Sequence, residues 1–258
     1  NAPSMKRLLA LLISLAALGA GGCALPLVSE AEIESQSEAE FEKMRQSTLI
    51  SNDARTRSYI GCIARAIVDE LDEPYASMNW DLEVFENEAI NAFAMPGGKI
   101  GVFTGILKVA DDQDKLAAVI GHEVAHVTER HSLERANQQM TTQIGVIGAT
   151  AAIGGPRGTG DLIAMGAQLG LSLPYGRGQE SEADTEGLLY MADAGFDPRA
   201  SIKLWKNMAA ANEGGPPEFF STHPSSDTRI DDLIEQLPEA LARYNAAKAA
   251  GKNPDCQR

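Results

Sequence analysis

The spacing of apolar residues along the chain predicts a mostly helical protein. Apolar side chains recur every three to four positions, which is typical of α-helices with one buried face. Six segments follow this pattern, and they span residues 29–46, 53–71, 111–128, 179–194, 200–211 and 227–248. Pro74 and Gly195 follow two of these segments and are typical helix stops.

A short β region interrupts this helical series. Trp80, Leu82 and Val84 alternate with the residues between them, which predicts a strand with one face inward. Residues 91–98 lead through a Pro-Gly-Gly turn into residues 99–105, and this pattern predicts two short strands in a hairpin. We therefore predict an α+β fold that is mostly helical and has a small mixed sheet.

Residues 141–178 differ from the rest of the chain in composition. From Thr141 to Leu173, Gly, Ala, Ile and Leu dominate and charged residues almost vanish. The glycines and the proline at 154–158 break any single helix, so a transmembrane span is excluded. We expect an apolar lid or surface segment here, and packing into the core is the alternative.

The N-terminal residues have the pattern of an export signal. Asn1–Ser4 resemble an expression remnant, and two basic residues then precede the apolar run Leu8–Leu18. Gly19–Cys23 resembles a bacterial lipobox, although its second residue is Ala where such signals usually carry Leu. We expect a lipid on Cys23 that anchors the protein to the outer membrane, on the periplasmic side. An ordinary cleaved signal is the alternative.

Charge and cysteine content narrow the class of protein further. The formal net charge of -14 excludes a nucleic-acid partner, because binding phosphates requires a concentrated basic face. If Cys23 carries a lipid, Cys62 and Cys256 remain and can pair as a disulfide in an oxidising compartment. Two free thiols are the alternative.

The segment His122-Glu123-Val-Ala-His126 lies within one predicted helix and carries the chemistry of a metal site. Residues four apart share one helix face, so both imidazoles can reach one metal ion while Glu123 lies beside them as a general base. Catalytic zinc takes three protein ligands and leaves one position open, so a third ligand is needed.

The third ligand has several candidates downstream. His131 lies five residues after His126, off the ligand face, and no glycine turn brings it back, so we expect a surface or structural histidine. Glu180 and Asp184 share a helix face, so that one can ligate and the other can orient a ligand. Glu182 lies between them, points elsewhere and is expected to be a solvated charge.

Four motifs occur together in a known order: His122–His126, Glu180–Asp184 and Ser221–Pro224, preceded by Asn91–Gly98. This set resembles the zinc metallopeptidase family of HtpX, the mitochondrial Oma protease and the periplasmic proteases BepA and LoiP. The resemblance implies a zincin-like, gluzincin-type domain with its sheet beside the helix of His122. It covers the chain from about residue 29 onward.

The resemblance also implies roles for single residues. Glu180 would be the third ligand of one Zn²⁺ per chain, and Asp184 would orient a ligand histidine. His223 would steady the oxyanion or, in some members, cap the zinc and hold the enzyme inactive. Asn91 and the glycines Gly97 and Gly98 would position the substrate backbone on an edge strand.

We therefore divide the chain into residues 1–23, the remnant and lipoprotein-type signal; 24–50, an N-terminal helix or clasp; and 51–258, a zinc metallopeptidase domain. The expected function is a zinc endopeptidase of the bacterial envelope that cleaves misfolded or misassembled proteins. Protein or peptide substrates, the membrane and the envelope assembly machinery are the expected partners. An assembly factor or chaperone with a gated or silent zinc site is the alternative. A purely structural zinc site is disfavoured, because it would leave Glu123 without a task.

Overall fold

The computed structural model of the chain describes residues 27–152, 171, 173–211, 217–224 and 228–258, and residues 145–152 by their backbone alone. The export signal, Cys23 and residues 153–170 and 172 of the apolar segment 141–178 therefore lie outside the described residues. No described helix combines the length and the apolar character that a bilayer crossing needs. The predicted α+β class is confirmed: helices dominate, with one three-stranded mixed sheet.

The helices and strands follow one another closely along the chain. The elements are α1 (Glu30–Ser47), α2 (Ala54–Val68), β1 (Asp81–Phe85), β2 (Ala92–Met95), β3 (Lys99–Phe103), a 3₁₀ helix (Thr104–Lys108), α3 (Gln113–Thr128), α4 (His131–Ala152), α5 (Arg177–Asp193), α6 (Arg199–Ala210), α7 (Phe219–Thr222) and α8 (Arg229–Ala249). The helix α4 runs through residue 141 without a break, so the compositional change there does not mark an element boundary.

The helix α3 lies at the centre of the fold. It begins at Asp112, whose carboxylate accepts a hydrogen bond from the Lys115 backbone N–H and caps the helix. Every residue from Lys115 to Val127 is buried, because α5, β2, α2 and α6 surround this helix. A helix buried on all sides needs no polar face, which explains its nearly continuous apolar sequence.

The sheet has the strand order β1-β3-β2, so β2 is an edge strand. β1 pairs with β3 in parallel, and β2 and β3 form the predicted antiparallel hairpin. Gly101 of β3 faces Phe93, and a Cβ at this glycine would lie 2.0 Å from the ring. A side chain at position 101 would therefore displace Phe93.

The prediction that β1 has a single inward face is wrong. Val84 is buried, but Glu83 and Phe85, which point to the other face of the sheet, are buried as well. The helix α1 covers this second face: Phe41 packs edge-on against Phe85 at 6.2 Å, and Arg45 pairs with Glu83 at 3.3 Å. The division between residues 24–50 and 51–258 remains a proposal.

A disulfide joins Cys62 of α2 to Cys256, with 194 residues of sequence separation. The bond ties the segment after α8 to the helix that packs beside α3. It therefore constrains nearly the whole length of the predicted catalytic domain.

Candidate metal centre and active site

Two imidazoles of α3 meet at the centre of the molecule. His122 and His126 are each at most 3% exposed, and their Nε2 atoms lie 3.1 Å apart. This is the arrangement that a four-residue helical spacing predicts. Two strong nitrogen donors therefore face one point in a dry environment.

Glu180 of α5 completes this group from a second helix. Its carboxylate lies 3.4 Å from His126 Nε2 and 3.6 Å from His122 Nε2. The two helices approach closely at Gly121 and Gly187, where a Cβ on Gly187 would lie 2.6 Å from the backbone nitrogen of His122. A side chain at either glycine would separate Glu180 from the imidazoles.

His223, at the end of the one-turn helix α7, is the fourth member. Its Nδ1 lies 3.0 Å from Glu180 Oε1 and 3.2 Å from His122 Nε2. Phe219 stacks on the ring with a centroid distance of 4.3 Å and fixes its plane. One ligand atom from each of His122, His126, Glu180 and His223 lies within 4.8 Å of the others, so the four could hold one metal ion.

Glu123 lies beside this cluster and is almost completely buried. Its Oε1 lies 3.5 Å from His223 Nε2 and accepts no hydrogen bond from a described residue. Burial, only partly offset by the positive field of His122, raises the pKa of Glu123 to about 8. Such a pKa suits a group that exchanges a proton near neutral pH.

A cavity of about 200 Å³ opens onto Glu123 and His223. Asn91 lines it, and no described residue bonds the buried side-chain Oδ1 of Asn91. Gly97 and Gly98 lie elsewhere, in the β2–β3 turn, where their φ angles of 79° and 73° favour glycine. Among the described residues that line the cavity, neither glycine is present.

Asp184 and Arg229 support the cluster from behind. Asp184 Oδ1 lies 3.0 Å from His122 Nδ1, within ion-pair distance but without the alignment of a full hydrogen bond. The buried guanidinium of Arg229 bonds Glu180 Oε2 at 3.0 Å and Asp184 Oδ1 at 2.8 Å, and lies over the Trp205 ring. Nothing in the local sequence pattern distinguishes Arg229, so its role is visible only in the structure.

The structure decides between the two alternatives for His131 and adds a contact to Glu182. His131 is 1% exposed and its Nδ1 lies 2.8 Å from His126 Nδ1, so it is a structural histidine and not a surface one. Arg130, with φ of 56°, makes the turn for which the sequence offered no glycine. Glu182 is half-exposed as expected, but its carboxylate bonds His131 Nε2 at 3.1 Å.

The protonation states of the cluster suit a metal cation. Burial opposes the charge on Glu180, but hydrogen bonds to His126 and His223 outweigh this effect and hold its pKa well below the ordinary value. Burial also lowers the pKa of His126 and of His223, which favours neutral imidazoles. An ionised carboxylate and neutral imidazoles are the forms in which these side chains ligate zinc.

Comparison with known proteins agrees with this geometry. The family model described as peptidase family M48 matches residues 54–237, which include the whole cluster. The chain belongs to peptidase family M48. Metallopeptidases of this family use zinc, and the ligand cluster of this M48 chain fits that ion.

Named relatives of this M48 chain come from different organisms. The mitochondrial metalloendopeptidase OMA1 of Schizosaccharomyces pombe is 42% identical over 170 residues, 65% of this chain and 50% of that protein. The mitochondrial metalloendopeptidase OMA1 of Homo sapiens is 36% identical, covering 83% of this chain and 43% of that protein. The beta-barrel assembly-enhancing protease of Escherichia coli is 30% identical, covering 74% of this chain and 40% of that protein. The chain thus spans half or less of the relatives' length.

Proposed function

We propose that this chain is a zinc-dependent endopeptidase in which His122, His126 and Glu180 hold one Zn²⁺. The observation that carries the proposal is the convergence of these donors, from two separate helices, within 4.8 Å. The metal supplies Lewis-acid polarisation of a water molecule and of the scissile carbonyl. Asp184 and Arg229 keep His122 and Glu180 in place behind the ligand atoms.

Glu123 is the general base of the proposed reaction. Its carboxyl group reaches the cavity beside the ligands, and a bound cation would favour its ionised form, which can take the proton of the attacking water and pass it to the leaving amine. General bases of this kind contribute a rate factor of roughly 10² to 10⁴.

The edge strand β2 supports a binding mode for an extended substrate. The Asn91 carbonyl accepts a hydrogen bond from the Phe103 N–H, so the main-chain groups of Ala92 and Ala94 point away from β3. A peptide added along this edge would lie beside Glu123. The unpaired Asn91 Oδ1 is available to a substrate N–H, whereas Gly97 and Gly98 act only through the turn that holds the edge strand.

We further propose that the enzyme works in a bacterial envelope on misfolded or misassembled proteins. The lipobox-like segment Gly19–Cys23, the Cys62–Cys256 disulfide and the similarity to a beta-barrel assembly-enhancing protease support this location and a link to assembly machinery. The relatives named mitochondrial favour a different compartment. Fractionation of cells that express the full sequence, with Cys23→Ser as control, tests the lipid anchor: unchanged membrane association of the variant would contradict it.

A gated zinc site is a second candidate, because His223 Nδ1 lies among the ligand atoms. If His223 occupies the fourth zinc position, His223→Ala should increase cleavage of an unfolded protein. If His223 instead donates to the oxyanion, the same variant should lose roughly 10² to 10³ in turnover rate.

Cleavage of an unfolded casein by the purified chain tests the enzyme itself. We expect one zinc per chain, loss of cleavage on chelation, recovery when zinc is added back, and loss of cleavage in Glu123→Gln with zinc retained. Equal cleavage by Glu123→Gln and wild type would contradict the role of the general base.

A further inference from the structure

His126 is held in the plane of its ring from both sides. Its Nε2 faces His122 and Glu180, and its Nδ1 lies 2.8 Å from Nδ1 of His131. The other nitrogen of His131, Nε2, lies 3.1 Å from Oε2 of Glu182. A carboxylate and two imidazoles therefore form one continuous row that ends at the metal-facing nitrogen.

Metal ligation allows only one arrangement of protons along this row. If Nε2 of His126 binds the metal, the ring proton is on Nδ1 and can be donated. Nδ1 of His131 must then be the acceptor, so the proton of His131 is on Nε2 and points to Glu182. With this arrangement, every donor in the row meets an acceptor.

The fold gives His126 no alternative orientation. Arg130 takes a φ of 56° between α3 and α4, and this turn brings His131 back against His126 although they are five residues apart. Tyr175 stacks on the face of His126 with a centroid distance of 3.6 Å and an interplanar angle of 19°. The ring of His126 is thus restrained in its plane by His131 and across its face by Tyr175.

We propose that His131, anchored by Glu182, is a positioning residue for the zinc ligand His126. The inference rests on the proposed zinc site. It gives a role to His131 and Glu182, to which the spacing of the metal ligands assigns none. The two ligand histidines then differ: His122 has Asp184 directly behind it, whereas His126 reaches its carboxylate through a second imidazole. Ligand-orienting partners of this kind change metal affinity by roughly 10- to 100-fold.

The test is the zinc dissociation constant, measured by chelator competition, together with the visible spectrum of the Co²⁺-substituted protein. His131→Phe keeps the ring volume but removes the acceptor, and we expect zinc to bind roughly 10- to 100-fold more weakly, with a changed Co²⁺ spectrum. His131→Asn places an oxygen near the position of Nδ1 and should recover most of the affinity. Glu182→Ala should weaken binding about two- to fivefold, a smaller effect because its carboxylate is half-exposed.

Glu186→Gln is the matched control, because Glu186 lies one turn after Glu182 on α5 and bonds neither His126 nor His131. Wild-type affinity and an unchanged Co²⁺ spectrum in His131→Phe would overturn the positioning role and leave the zinc site intact. Absence of zinc binding by the wild-type protein would instead overturn the proposed function. Should His131→Phe fail to fold, Glu182→Ala decides, and an unchanged dissociation constant in that variant overturns the inference.

Discussion

Replacing Glu123 by Gln in the metal-free protein should raise the free energy of unfolding at high pH and leave it nearly unchanged at low pH. Burial raises the pKa of this carboxyl group from 4.5 to about 8, so the folded state retains a proton that the unfolded chain releases. The stabilising effect of that proton is complete below pH 4.5 and is lost as the pH rises through about 8. Gln keeps the shape of the protonated acid and does not titrate.

The size of the effect follows from the shift. At about 1.4 kcal/mol per pKa unit, a rise from 4.5 to about 8 amounts to roughly 5 kcal/mol. Roughly 4 kcal/mol of this difference between variant and wild type should develop between pH 5 and pH 9. No reduction for solvent screening applies, because the Glu123 side chain is almost completely buried.

Urea unfolding of both proteins after chelation, measured at several pH values, gives the difference directly. Glu218→Gln is the matched control, since Glu218 lines the same cavity with an exposed side chain, and its unfolding curves should follow wild type. Adding zinc should reduce the difference at pH 9, because the cation stabilises the Glu123 carboxylate. A difference between Glu123→Gln and wild type that stays constant from pH 5 to pH 9 would refute the reasoning.

Three further outcomes follow from the packing of the site. Glu180→Ala should abolish stoichiometric zinc in metal analysis and cost about 3 kcal/mol of stability, since Arg229 loses one of its two carboxylates; full zinc occupancy would contradict the ligand assignment. Gly187→Ala should push α5 away from α3, lowering the free energy of unfolding by about 3 kcal/mol and weakening zinc binding in chelator competition. Wild-type stability and wild-type zinc affinity in this variant would show that the contact can relax. Replacing Cys62 and Cys256 together by Ser should lower the free energy of unfolding by about 3 kcal/mol in urea, and an unchanged midpoint would contradict the constraint.

Local pattern was sufficient for the elements whose signals are local. The helix of His122 and His126 is capped by Asp112, one residue from the start that apolar spacing predicts for the segment 111–128. The β2–β3 hairpin was predictable from its Pro-Gly-Gly turn. Burial of the second face of β1 was not predictable, because it depends on α1, which is distant in sequence and packs against Phe85. Period-two alternation describes a half-buried strand and carries no information about a helix on its other face.

Local sequence pattern likewise identifies the proposed metal ligands better than the residues that hold them in place. His122 and His126 are identifiable because metal geometry restricts donor types and helical spacing, and both restrictions are visible in a sequence. Spacing narrows the third ligand to Glu180 or Asp184, and the resemblance to the zinc metallopeptidase family implies Glu180. Helical spacing alone places His131 away from His126 unless a glycine makes a turn, and Arg130 in the left-handed region makes that turn instead. Residues that orient a ligand need only one correctly placed acceptor, which many turns can supply. Their identification therefore requires the three-dimensional structure.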